Sequence, residues 1–279
     1  GKKHINFLYL AVNWKGVGVP LFWCLLRDKK QGNSNCKDRL SLVNRCKRAF
    51  GPESIGTIVG DREFIGKPWV EFLQQYRISF VLRLKEKGQK IGTPWGGTKK
   101  IDKFFNDLRP GEMRSLGRVR INENNKYYAC VTGARLKNGD LLIVMHDDNH
   151  ENPLEAYRHR WAIECLFKNM KTGGFNSENT HVTDPDKLET LFAAVAIACA
   201  IACKIGQIKA EVIPIKLKKH GWKLYSFVRY GLDCLQEYIF KKPPRIPHKP
   251  SKTPSQKQQV DRKLSLFFNK LHDKKIKPI

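Results

Sequence analysis

The stretch YRHRWAIECLFKNMK (157–171) sets a tyrosine, two cations and a carboxylate at spacings that matter on a helix. At 100° per residue from Tyr157, Arg160 falls at about −60°, Glu164 at about −20°, Lys171 at about −40° and Lys168 at about +20°. One narrow stripe therefore gathers acid and base, while Ala162, Ile163, Leu166 and Met170 collect on the opposite, core-facing side. A solvated face is the plain alternative, because Arg160 and Lys168 each stand four residues from Glu164 and could form ordinary surface pairs of about 0.3–0.5 kcal/mol. The chemical alternative needs a second carboxylate. Asp61 supplies a candidate, since SIGTIVGDREF places it just after an apolar run that reads as a strand, although a turn acid is again the plain reading. Two carboxylates brought together from a strand end and a facing helix could hold hard divalent ions about 3.5–4 Å apart for phosphoryl transfer.

Several elements must position these groups. HINFLYLAVNW (4–14) and VGVPLFWCLL (17–26) are β-rich and join through Lys15-Gly16 as a hairpin. Residues 37–50 have Leu40, Leu42, Val43, Cys46 and Phe50 near helical spacing and stop at Gly51-Pro52. A strand over 55–59 ends at Gly60-Asp61, Gly66-Lys67-Pro68 opens another helix, and ISFVLRL (78–84) is a further strand. Strand, strand, helix, strand, helix, strand is the order of an α/β mixed sheet. From 85 to 150 the composition shifts to Gly, Asn and short β runs, a β-rich insertion. LFAAVAIACAIAC (191–203) reads as a buried helix, its thirteen residues being short of the roughly 20 needed to span a bilayer, so no membrane partner is expected.

Charge narrows the partner. Lys and Arg number 52 against 26 acids, a net +26 whose self-repulsion favours a polyanionic partner, with nucleic acid leading. Half of that excess lies in 205–279, where KKPPRIPHKPSKTPSQKQQ (241–259) has five prolines and no acid and reads as a flexible basic linker or tail. The eight cysteines contain no C-x-x-C pair and read as reduced, mostly buried thiols of a cytosolic protein. The 279 residues thus divide into 1–84, the first part of an α/β core; 85–150, the insertion; 151–210, the second part of the core; and 211–279, the basic C-terminal region.

The spacing Y-x2-R-x3-E-x6-K met by Tyr157, Arg160, Glu164 and Lys171 resembles the signature of bacterial insertion-sequence DDE transposases of the fourth insertion-sequence family. The resemblance extends to IVGDREF around Asp61, to the GNSN turn and to the β insertion, covering roughly residues 1–230. It implies a ribonuclease-H-like core and cleavage and joining of double-stranded DNA, at transposon ends and target, with Mg²⁺ or Mn²⁺. It further implies that Asp61 and Glu164 are metal-binding members of the acidic triad, and that Tyr157, Arg160 and Lys171 hold DNA phosphates. Lys168 borders that DNA-binding stripe, and a homodimer in a synaptic complex joins DNA among the partners. The family's first catalytic aspartate precedes the strand beginning near His4, whereas no aspartate stands before Asp28 here, and the usual N-terminal DNA-binding region is absent. An N-terminally truncated, inactive transposase is the resulting expectation. A DNA- or RNA-binding remnant and a structural or regulatory protein with a basic tail are the readings from other classes. Two aromatic positions, Trp95 and the pair Tyr127-Tyr128, are candidates for stacking on a flipped base, with packing as the plain alternative.

Overall fold

The computed structural model describes residues 6–26, 34–93, 96–121, 127–171, 175, 180–219, 221, 223–240 and 254–273. Contacts divide the chain into two units, Gly1–Ala11 with Leu21–Ala162, and Val12–Pro20 with Ile163–Ile279.

The chain begins with a hairpin of β1 (Asn6–Trp14) and β2 (Val17–Leu26). Its two-residue turn places Lys15 at φ 51° and Gly16 at φ 84°, the left-handed pair that matches strand twist, and Gly16 N–H donates to Asn13 Oδ1 at 2.9 Å. The helix α1 (Cys36–Phe50) starts at a capping box: Asn35 Oδ1 accepts from Asp38 N at 2.8 Å and Asp38 Oδ2 from Asn35 N at 3.0 Å. Then follow β3 (Ile58–Gly60), α2 (Lys67–Gln75) and β4 (Phe80–Arg83).

β3 and β4 pair in parallel, and the strands of the β-rich segment extend the same sheet. These are β5 (Lys90–Gly92), β6 (Thr98–Lys100), β7 (Met113–Ile121), β8 (Tyr127–Arg135) and β9 (Leu141–His146), giving the order β3-β4-β9-β8-β7-β5-β6. Alternation along β4 explains its nearly continuous apolar run. Phe80 and Leu82 enter the main core with Val70, Leu73, Ile143 and Met145, while Val81 turns to the other face with Val144 and Tyr157. Both sheet faces are covered there, so neither set of side chains needs to be polar.

Next come α3 (Pro153–Arg158) and α4 (Trp161–Lys171). The second unit is built on α5 (Pro185–Val212), α6 (Phe227–Phe240) and α7 (Gln256–Asp273). α5 is 28 residues long, extending well beyond the thirteen-residue apolar run, and by length and composition it could cross a membrane. Its packing accounts for the same composition, because Ile205 and Ile208 bury against Cys234 of α6 and Val260 and Leu264 of α7. α5 and α6 cross with backbones in contact: a Cβ on Gly206 would collide with the Phe227 carbonyl, and one on Gly231 with that of Ala202. Of the segment read as a flexible basic tail, 241–253 lies outside the described residues, whereas Gln256 onward is helical. The apolar positions Val260, Leu264, Phe267 and Phe268 recur at helical spacing and supply the packing face of α7. All eight cysteines are free, four of them buried.

Candidate active site

Asp61 follows directly on β3, one step beyond the Gly60↔Leu82 pair. Glycine is needed before it, because a Cβ at Gly60 would stand 2.8 Å from Leu82 Cδ2 and 3.0 Å from Phe64 Cβ. The chain then turns, with Phe64 N–H donating to the Asp61 carbonyl at 2.9 Å and Arg62 N–H to Asp61 Oδ1 at 2.8 Å. The carboxylate is thereby held by its own turn at the carboxyl end of a parallel pair, the usual location of ligand sites in such sheets. Its side chain remains 45% exposed.

α3 brings the second group. Asn152 caps it by accepting from Glu155 N at 3.2 Å, and Pro153 occupies its first turn, where no N–H is required. Tyr157 is 6% exposed, its ring packed with Val81 and Val144 while its hydroxyl lies 3.4 Å from Asp61 Oδ1. Burial raises the Tyr157 pKa, opposed by the charge of Arg160, so the phenol keeps its proton and donates. Arg160 completes the group, with Nη1 3.8 Å from Asp61 Oδ2 and its guanidinium carbon 5.6 Å from the Tyr157 ring centroid.

Two members of this cluster escaped the sequence reading. Arg83, the last residue of β4, donates through Nη2 to Glu86 Oε1 at 3.0 Å, and its positive charge acts on the Tyr157 phenol. The same Oε1 accepts from Arg62 Nη2 at 3.3 Å. The available signal was positional: Arg83 ends an apolar strand whose parallel neighbour ends just before Asp61.

The single helix expected over 157–171 is a correction. α3 stops at Arg158 and α4 starts at Trp161, with i→i+3 bonds from Arg160 N to Tyr157 O (2.9 Å) and from Ala162 N to His159 O (3.0 Å) tightening the join. Tyr157 and Arg160 therefore do not continue the α4 stripe at 100° per residue. On α4, Glu164, Lys168 and Lys171 still share a face at i, i+4 and i+7, with both lysines exposed, and Leu166 and Met170 are buried as expected. The structure thus brings together Asp61, Tyr157 and Arg160 in the first unit and carries Glu164, Lys168 and Lys171 in the second.

The aromatic candidates separate. Tyr127 is 4% exposed in the main core, Tyr128 is 51% exposed, and Trp95 lies outside the described residues, as does Asp28. Asp147 lies in the polar loop between β9 and α3. Its Oδ1 accepts from Phe80 N and Ser79 Oγ, both at 3.0 Å, and Ser79 Oγ lies 2.8 Å from His150 Nε2.

Asp61 has the hard oxygens and the exposure of a donor to a divalent cation, and its carboxylate contacts leave lone pairs available. Among the described residues no group of three or more His, Cys, Asp or Glu side chains is gathered for a metal. The fit is therefore that of a single donor, short of a complete cage. Beside it, a guanidinium and a phenol offer donors suited to a phosphate oxygen.

A family model described as Transposase DDE domain matches residues 28–201, well over half of the chain. Comparison with curated proteins gave no match.

Proposed function

The chain belongs to the DDE transposase family, and from that premise we propose that it is the catalytic domain of an insertion-sequence transposase of the fourth insertion-sequence family, cutting transposon ends and joining them to target DNA. Asp61 and Glu164 are two carboxylates of the acidic triad in this reading, and Tyr157, Arg160, Lys168 and Lys171 contact DNA. The core is ribonuclease-H-like, with the 85–150 segment as its β-rich insertion, 151–210 as its second part and 211–279 as the basic C-terminal region. A homodimer holds paired ends. The observation that carries the proposal is the setting of Asp61: an exposed carboxylate at the end of a parallel strand, with the Tyr157 hydroxyl at 3.4 Å and Arg160 at 3.8 Å.

When bound, Mg²⁺ or Mn²⁺ supplies Lewis-acid stabilisation of the attacking and leaving oxygens. The chain's own residues supply the rest. Arg160 and Lys171 neutralise backbone phosphates and orient the scissile strand, and Tyr157 fixes the direction of the Asp61 carboxylate through its hydroxyl.

Joining is the function to test. The protein is taken at the full length of its reading frame. It is then incubated in Mg²⁺ with pre-cut terminus DNA ending in a 3′ hydroxyl and with a supercoiled plasmid. Covalent transfer of the labelled end to the plasmid supports the proposal. DNA binding without transfer favours the reading of a DNA-binding remnant.

A further inference from the structure

Five residues gather at the carboxyl ends of β3 and β4. Asp61 is followed by Arg62, Arg62 donates to Glu86, Glu86 also receives Arg83, the Arg83 charge acts on the Tyr157 phenol, and the Tyr157 hydroxyl lies 3.4 Å from Asp61 Oδ1. With Arg160, three guanidiniums stand around two acids, and their allocation is uneven. Glu86 takes both close contacts on one oxygen, at 3.0 Å from Arg83 and 3.3 Å from Arg62, while the guanidinium facing Asp61 is that of Arg160 at 3.8 Å.

We infer that Glu86 is a positioning residue of the Asp61 site: by holding Arg62 and Arg83 together it keeps both guanidiniums off Asp61 and leaves that carboxylate open to a divalent cation. The reason is competition for lone pairs. An arginine fork docked on a carboxylate occupies the same oxygens that a hard cation requires, and such charge-assisted pairs are among the stronger hydrogen bonds. Arg62 is bonded to Asp61 in sequence, and Arg83 ends the strand beside it, so both lie within easy reach once released. Arg83 also has an unspent donor, because its buried Nε has no hydrogen-bond partner among the described residues. Turning toward a second acceptor would give that N–H a bond it lacks. The ordinary alternative is a partly exposed tie of the loop after β4, contributing little beyond its charge.

This inference rests on the reading of Asp61 as a cation ligand, and the test keeps the two apart. Mn²⁺ binding to the whole chain is followed by loss of the free-ion electron paramagnetic resonance signal, and Asp61→Asn defines the Asp61-dependent part. Glu86→Gln is expected to weaken that part about tenfold, the scale of one charge-assisted hydrogen bond. Glu86→Asp keeps the charge but is too short to hold both arginines, and is expected to weaken it similarly. Adding Arg62→Ala to Glu86→Gln is expected to recover most of the loss. Thermal melting of each variant, expected to match the parent protein, checks folding. Wild-type affinity in Glu86→Asp, or no recovery on removing Arg62, overturns the positioning role and leaves Asp61 as a ligand. Mn²⁺ binding unchanged by Asp61→Asn overturns the Asp61 reading and, with it, this one.

Discussion

The hydroxyl of Tyr157 lies 3.4 Å from Asp61 Oδ1 across ninety-six positions of sequence, so a residue from α3 touches a carboxylate at the end of β3. Tyr157 is also a core residue, and its ring and its hydroxyl can be tested apart. Tyr157→Phe keeps the packing against Val81 and Val144 and is expected to melt close to the parent while weakening DNA end binding mildly. Tyr157→Ala opens a cavity, with an expected loss of about 3–5 kcal/mol by analogy with large-to-small aromatic truncations. Denaturant melts of the two variants check this; equal stability would remove Tyr157 from the core.

The cations proposed to contact DNA divide by exposure. Lys171 is exposed, so Lys171→Ala is expected to leave the melting temperature within a degree or so while weakening binding to DNA ends by roughly tenfold. The Arg160 side chain is 20% exposed and lies over Tyr157, so Arg160→Gln is expected to show a small stability loss in addition to the same binding defect. Fluorescence anisotropy with terminus and internal duplexes separates the cases. Lost stability with intact end binding would reduce Arg160 and Lys171 to ordinary structural charges.

Net charge of +26 predicts duplex binding with steep salt dependence. Neutralising about six phosphates gives a slope of log K against log salt near −5. Deleting the C-terminal region is a poor probe of this, since Val260 and Leu264 of α7 pack on Ile205 and Ile208 of α5. Changing Lys241, Lys242, Lys249 and Lys252 to Gln removes charge while keeping α7 intact, and is expected to flatten the slope by up to about 0.9 for each phosphate no longer neutralised. Affinity indifferent to salt would exclude backbone neutralisation as the source of binding.

Much of the N-terminal third of the chain could be read from local sequence because local chemistry fixes it. The Lys15-Gly16 turn, the stop at Gly51-Pro52 and the helix starting near Lys37 all appear in the structure within a residue or two. Asp61 was visible as a strand-end acid for the same reason. The break between Arg158 and Trp161 was not visible, because neither Pro nor Gly marks it and the tightening is carried by i→i+3 bonds that periodicity does not register. Arg83 and Glu86 were missed because their role depends on the parallel register of β3 with β4, a relation set by tertiary pairing. The helical part of the basic C-terminal region was hidden by composition: proline and lysine dominate the segment before it, while its apolar positions matter through contact with α5 and α6.

The assignment of the two carboxylates is the central claim, and one gel tests it. End-labelled transposon-terminus DNA is incubated with the protein at the full length of its reading frame, with the Asp61→Asn and Glu164→Gln forms, and with EDTA, in Mg²⁺ and in Mn²⁺. The account predicts nicking that exposes a 3′ hydroxyl in either metal, abolished by each substitution and by chelation, with the melting temperature unchanged. Cleavage that survives either substitution would contradict it.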